Sequence, residues 1–344
     1  MAVVARGIDC LDEARRAWKQ AVGAYQDSDL RRSLWQLANS VVPYLLLWYV
    51  SYRLLAVSYW LALAPMVLAA GFLVRVFIIF HDCGHGSFFR SQKANDVVGF
   101  ITGILTLTPY YDWRREHAVH HATAGDLDRR GRGDVWTMTV SEYRQASFWL
   151  RLGYRLYRNP FVLLGLGPLY VFFIKQRFTR RGSGLRERLS VHLTNLALTI
   201  LLAGLVPAVG LKATLLVQAP IMAIAGAAGV WLFYVQHQFE GVYWERTGRR
   251  DYVAVALQGS SLYALPRVLQ WFSGNIGFHH IHHLSPRIPN YRLAKCYREQ
   301  ALFQQVDRIT LLSSLRSLRL RLYDEVTRRM VGFRAAALAS QEPA

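Results

Sequence analysis

Charge is scarce in this chain, and what there is leans to one sign. Only 18% of its 344 residues are Asp, Glu, Lys or Arg, against about a quarter in an average soluble domain. The 41 basic residues face 22 acidic ones, for a formal net charge of +19. Cysteine is scarcer still. Cys10, Cys83 and Cys296 are far apart and form no CxxC pair, which excludes a disulfide framework, a zinc ribbon and an iron–sulfur set, and is compatible with a reducing compartment. There is no HPGG haem motif and no glycine fingerprint for a flavin or a nicotinamide. The N-terminal MAVVARGIDCLDEARRAWKQ has no basic segment leading into an apolar one, so no cleaved signal peptide is expected. Neither an internal repeat nor a low-complexity linker divides the chain.

Hydrophobic residues, by contrast, make up 53% of the sequence, too many for a disordered chain. A nucleic-acid binder would account for the basic excess but not for the apolar runs. A membrane protein with basic cytosolic faces accounts for both, so membrane lipids are the expected surroundings and nucleic acid is not an expected partner. Residues 1–32 read as a cytosolic lead-in helix, 34–300 as the core, and 301–344 as a cytosolic tail, all within one domain. Both ends look like amphipathic, Arg-rich helices. Leu34 to Phe80 is almost continuously apolar. Since about 20 residues span the hydrocarbon core, this stretch predicts two membrane helices turning near Ser51–Leu54. His192 to Val209 and Leu211 to Val235 predict two more. The shorter runs Val97 to Thr108 and Phe161 to Ile174 are expected to be re-entrant or interfacial, and Lys175 to Arg188 to meet anionic headgroups. Arg75, inside an apolar run, should face the bundle or reach for the interface. The two connecting turns carry one basic residue each, while nearly all others fall on the opposite side. The positive-inside rule then makes both termini and the 81–190 segment cytoplasmic.

Histidine is what the chain concentrates. Nine of its eleven histidines fall into three clusters: HDCGH (His81, His85), HAVHH (His117, His120, His121) and HHIHH (His279, His280, His282, His283). Residues at i, i+3 and i+4 share a helix face, so each cluster presents two or three imidazoles together, with His280 pointing elsewhere. Span parity brings all three clusters to one side of the membrane. Gathered imidazoles repel when protonated and lose solvation when buried, and metal coordination relieves both. One tetrahedral zinc would use at most four. Eight or more nitrogens suit two metals with room for an exogenous ligand, and imidazole with open positions suits iron and O2.

These residues resemble the membrane fatty acid desaturases, in particular the acyl-lipid omega and delta-12 types of bacteria and plants. The resemblance rests on HDCGHGSF (81–88), HAVHHATAGDLDRRGRGDVWT (117–137), FYVQHQFEG (233–241) and NIGFHHIHHLSPRIPNY (275–291). It implies an all-α membrane protein of four transmembrane helices in two hairpins, with a cytosolic helical cap holding a dinuclear metal site in a bacterial inner membrane. It also implies two iron ions held by His81, His85, His117, His120, His121, His279, His282 and His283, with His237 matching a ninth ligand. By its own spacing His237 could equally be an interfacial histidine. The implied reaction is O2-dependent desaturation of a long acyl chain, with a hydroxylase, ketolase or other oxygenase of the same superfamily as the rival. A metal transporter would need ionisable groups along the spans, and apart from Arg75 and His192 they have almost none. Having no redox carrier of its own, the chain would take electrons from a ferredoxin, flavodoxin or cytochrome b5-like donor, attracted by the basic cap. Asp82, Asp126, Asp128, Asp134, Glu240 and Asn275 are candidates to orient histidine ligands, or else, for the three later aspartates, partners of Arg129, Arg130 and Arg132. Trp113, Trp136, Trp271 and Phe278 could line an acyl pocket. His192 reads as structural, and His280 as a residue behind the ligands.

Overall fold

The computed structural model describes residues 2–131 and 133–338, with side chains for 11–131 and 133–336. It is mostly helical. After α1 (Ala2–Gly23) come α2 (Leu30–Leu54) and α3 (Tyr59–His85), a tight antiparallel pair turning four residues later than expected. Helices α4 (Gln92–Leu105) and α5 (Tyr110–Thr123) lead to α6 (Val140–Gln145) and α7 (Phe148–Tyr157). A second long pair follows, α8 (Leu185–Val209) and α9 (Leu211–His237), joined at Gly210 as expected. Short helices complete the chain: α10 (Tyr252–Gln258), α11 (Arg267–Phe272), α12 (His279–Leu284), α13 (Asn290–Glu299), α14 (Leu311–Ser314) and α15 (Phe333–Leu338).

Among the described residues three helices, α3, α8 and α9, are long and apolar enough to cross a membrane. Helix α2 is not, and the reason lies in its first three turns. There Ser33 donates to the Phe88 carbonyl at 2.6 Å and Gln36 donates to Asn290 Oδ1 at 2.9 Å. One face of those turns belongs with the histidine-bearing segments, and Arg31 and Arg32 interrupt the exposed apolar side chains Leu30, Leu34 and Trp35, whereas the stretch after Ser40 presents an unbroken lipid-like face (Val42, Leu45, Leu46, Tyr49). The expected interfacial run 161–174 is built from two π-helical turns, Val162–Leu166 and Tyr170–Ile174. This run is bent by 61° from α7, and the two would count as a fourth crossing only if taken together.

Arg75 does not line a path through the bundle. Its guanidinium lies 3.9 Å from the Trp271 ring centre and donates to the Trp271 carbonyl, pinning α11 against α3. The C-terminal region departs from the amphipathic helix expected of it. It supplies three short strands, β3 (Arg308–Thr310), β4 (Leu322–Asp324) and β5 (Arg329–Val331). Strand β3 runs parallel to β2 (Leu262–Ala264), and β4 lies between β5 and β1 (Met138–Thr139). Alternating burial (Ile309 and Met330 inward, their neighbours outward) is the period-2 signature of strands, and pairing with the core overrides helix propensity. Arg158, fully buried, fastens this region down. It donates to Thr137 Oγ1, Tyr234 OH, Gln238 Oε1 and the Leu320 carbonyl at 2.7–3.1 Å.

Helix α9 meets the π-helical run through its small residues. A Cβ on Gly226 would stand 2.8 Å from Pro168 Cβ and 3.3 Å from the Phe172 ring, whereas one on Gly229 would meet nothing within 4 Å. Overpacking a tight contact costs about 1–3 kcal/mol. Gly226→Val should therefore lower the unfolding temperature of the detergent-solubilised protein by several degrees, while Gly229→Ala should leave it unchanged.

Candidate metal centre

Four helices deliver the histidines. Helix α3 ends with His81 and His85, and α9 ends with His237, while α5 carries His117, His120 and His121, and α12 carries His279, His282 and His283. All nine come together, in two adjoining groups. The first is His81, His85, His117, His121 and His282; the second is His120, His237, His279 and His283. The clusters read along the chain are thus split in space. On α5 the i, i+4 pair His117 and His121 serves one group while His120 serves the other, and on α12 His279 and His283 are the pair while His282 crosses over. Each of these two helices straddles the midline, and His121 stacks on His283 at 4.3 Å between ring centres.

The ring nitrogens point at one another. In the first group Nε2 of His117 lies 3.0 Å from that of His81 and 3.1 Å from that of His121, which is 3.1 Å from that of His282. In the second, His279 Nε2 lies 2.9 Å from His237 Nε2 and 3.1 Å from His283 Nε2. Shared protons cannot satisfy a chain of acceptors like this, and His85 Nε2 and both nitrogens of His120 are buried with no hydrogen-bond partner. A metal bound to imidazole at about 2.1 Å sets neighbouring ligands at right angles about 3 Å apart, which is the spacing seen. Burial, and then the neighbouring imidazoles, push His117, His120, His121, His279, His282 and His283 well below the ordinary histidine range. They are therefore neutral at pH 7, the form that binds metal. The residues fit a metal ion in each group.

Of the candidate orienting groups, Asp82 reaches a histidine. Its Oδ1 is 3.2 Å from His81 Nδ1, and its Oδ2 accepts from the Asn290 backbone N–H at 2.7 Å and the Asn290 side chain at 2.8 Å. Asn290 was not legible as a partner, because it lies 208 residues away in sequence. Asn275 supports it indirectly, donating to the Asn290 carbonyl. Asp126 and Asp128 hold arginines rather than histidines: Asp126 pairs with Arg129 at 3.8 Å, as the alternative expected, and with Arg250 and Thr247, Asp128 holds Arg246 and Thr247, Arg130 pairs with Glu142, and Arg132 lies outside the described residues. Glu240 is exposed. Asp134 accepts from the Gly131 N–H, and burial raises its carboxyl to about 6. His237 Nδ1 faces the Gly259 carbonyl at 3.3 Å. His280 turns away and donates to the Phe303 carbonyl, and His192 is exposed on α8.

Trp113 stacks on His117 at 4.4 Å rather than lining a pocket, and Gly84 is what admits it, since a Cβ there would stand 2.8 Å from the indole. Trp136 packs on Tyr154, Trp271 on Arg75 and Phe278 on Tyr297. The narrow cavity beside the site is walled by other aromatics, Phe233, Tyr234 and Trp244, with His120, His237 and Gln238. Two of these, Phe233 and Tyr234, stand in the turn before His237 on α9, the one signal in the sequence that could have found them.

A sequence profile described as fatty acid desaturase matches residues 58–308. The chain is 50% identical over 314 residues to a fatty acid desaturase of Bacillus subtilis, covering 91% of this chain and 89% of that one. It is 26% identical over 265 residues to the sn-1 oleoyl-lipid 12-desaturase of a Picosynechococcus species, covering 72% of this chain and 71% of that one. It is also 28% identical over 236 residues to the sn-1 acyl-lipid omega-3 desaturase (ferredoxin) of a Nostoc species, covering 64% of this chain and 62% of that one.

Orienting partners of metal-bound histidines are worth about 10- to 100-fold in affinity. Asp82→Asn and Asn290→Ala should each weaken metal binding by that factor, read as metal retained against a graded chelator. His192→Ala should retain as much metal as the unaltered protein.

Proposed function

This chain belongs to the fatty acid desaturase family, whose members are oxidoreductases, and from that premise we propose that it inserts a double bond into a long, lipid-carried acyl chain using O2 and electrons from an external donor. The observation that carries the reading is the convergence of nine imidazoles into two adjoining groups with nitrogens about 3 Å apart. We assign the nine, His81, His85, His117, His120, His121, His237, His279, His282 and His283, as ligands of two iron ions. Iron held there would supply O2-dependent removal of hydrogen from an unactivated methylene, which no side-chain acid or base can perform. One O2, two electrons and two protons, with two hydrogens from the chain, leave as two waters.

The rest of the reading concerns what the protein's own residues do. Asp82, held by Asn290, fixes the orientation of His81. His120 and His237 line the narrow cavity beside the site together with Phe233, Tyr234, Trp244 and Asp134, and an acyl chain reaching them would have to part these side chains. Which methylene reacts is then a matter of position. In the membrane, α2 accompanies α3 as its antiparallel partner, which gives four crossings in two hairpins. In this reading the protein lies in a bacterial inner membrane with the metal centre and both ends of the chain cytoplasmic, an orientation supported by the excess of arginines on the histidine side. The whole of 1–344 acts as one domain. The donor is an acidic carrier such as a ferredoxin, a flavodoxin or a cytochrome b5-like protein.

The test is expression in a host without polyunsaturated lipids, supplied with a ferredoxin-based donor system, with fatty acids profiled by mass spectrometry. A new double bond should appear and should vanish in His120→Ala. Hydroxylated products in its place would move the assignment to an oxygenase. A preparation with neither product nor iron would sink the di-iron reading.

A further inference from the structure

Two short helices leave the same end of one small sheet and carry a set of exposed apolar side chains that nothing among the described residues covers. Strands β2 and β3 are parallel, with Ala264 opposite Thr310. Both therefore point the same way, and neighbouring strands lie about 4.8 Å apart. From the end of β2 the chain enters α11, and from the end of β3 it enters α14 and the 3-10 turn Leu315–Arg319. Tyr263 ties the two together, its hydroxyl lying 3.1 Å from Ser314 Oγ and accepting from Trp231 Nε1. On α11, Val268 is 66% exposed and Leu269 and Trp271 also face outward. On the other arm Leu312 is 82% exposed, beside Leu311 and Leu315. Arginines frame these residues: Arg267, Arg308, Arg316 and Arg319 are all exposed, and none pairs with a carboxylate among the described residues. The neighbouring acid, Asp307, turns towards Gly241 instead.

The depth of the two arms decides what meets them. The Phe272 ring packs on Gly71, and Trp271 is held by Phe72 and Arg75. Counting from Trp60, residues 71–75 lie about 17–23 Å along α3 at 1.5 Å per residue. In a hydrocarbon core of about 30 Å, that is roughly 7–13 Å inside the boundary on the histidine side. Ser314 sits level with Trp231, six residues before His237, and so close to that boundary. An in-plane amphipathic helix buries its apolar face about 5–10 Å deep, with basic groups at headgroup level. A soluble protein could not reach a surface at this depth.

We propose that α11, α14 and the Leu315–Arg319 turn form a platform that inserts in the plane of the histidine-side leaflet, with Arg267, Arg308, Arg316 and Arg319 binding the phosphates of anionic phospholipids. The platform is independent of the metal centre and of the reaction assigned to it. It is tested on the full-length protein in nanodiscs of phosphatidylcholine with or without phosphatidylglycerol. A nitroxide on Leu312→Cys, in a Cys10→Ser background, should be reached by O2 and shielded from an aqueous nickel chelate. A nitroxide on Val326→Cys, at the tip of the β4–β5 hairpin, should behave in the opposite way. Equal, water-like accessibility at the two positions would overturn the insertion, as would shielding of Leu312 that appears only when an acidic electron carrier is added. Native mass spectrometry of protein ejected from mixed nanodiscs should show phosphatidylglycerol enriched several-fold over its share of the bilayer. The variant combining Arg267→Gln, Arg308→Gln, Arg316→Gln and Arg319→Gln should lower that enrichment at least twofold with its metal content unchanged, the remainder belonging to Lys175–Arg188. Enrichment equal to that of the unaltered protein would overturn the headgroup assignment. None of these readouts depends on turnover, so they stand or fall apart from the desaturase reading.

Discussion

Nine imidazoles share one buried volume, and the shape of the protein follows from the need to hold them there uncharged. Like charges at these distances could not coexist in a medium that screens poorly. Each ring must therefore be aimed by its own helix so that its nitrogen can share a bound ion rather than carry a charge of its own. That explains why two long helices terminate on site residues, His85 on α3 and His237 on α9, and why the two short ones straddle the boundary between the groups. It also explains Gly84, whose missing side chain lets Trp113 lie flat against His117.

The same requirement fixes how the protein meets the membrane. Both α3 and α9 have 27 residues, about 40 Å of helix where about 30 Å would span the hydrocarbon. The surplus of roughly two turns carries the histidines clear of the lipid. Helix α2 solves the problem from the other direction. Its first turns carry polar side chains on the face beside the site, where Gln36 braces Asn290 and so Asp82, and the unbroken apolar run follows them. A hydropathy average mixes these two environments, which is why α2 falls short as a span although it is the closely packed partner of α3.

The sequence made the site far more legible than the scaffold around it. Histidines at i, i+3 and i+4 in three runs are rare enough, and chemically demanding enough, to announce themselves. Even so, helical spacing alone grouped them by run, whereas the fold regroups them across runs, because three residues on one helix cannot all face the same metal when i+3 and i+4 diverge by 100°. Asn290 and the Gly259 carbonyl escaped notice since nothing local marks a residue whose partner is far along the chain. The C-terminal strands were missed for a related reason. Runs as short as Arg308–Thr310 and Leu322–Asp324 carry little periodicity, and their pairing partners lie elsewhere. Arg158 looked like one more surface arginine until the fold surrounded it with acceptors.

The two groups of histidines are not equivalent, and the difference has a direction. The five-histidine group is backed by a buried side chain, Asp82, whose Oδ1 lies 3.2 Å from His81 Nδ1 and fixes the ring's orientation. The four-histidine group has only a carbonyl behind His237, and the Nδ1 atoms of His120 and His279 have no partner. It is also the group that fronts the cavity, through His120 and His237. Fewer histidines and weaker backing fall on the side that faces the cavity. Arg158 bears on this side from a distance, because the two residues it fixes on α9, Tyr234 and Gln238, are themselves part of the cavity wall. The C-terminal segment it fastens is thus tied to the shape of the space in front of His237.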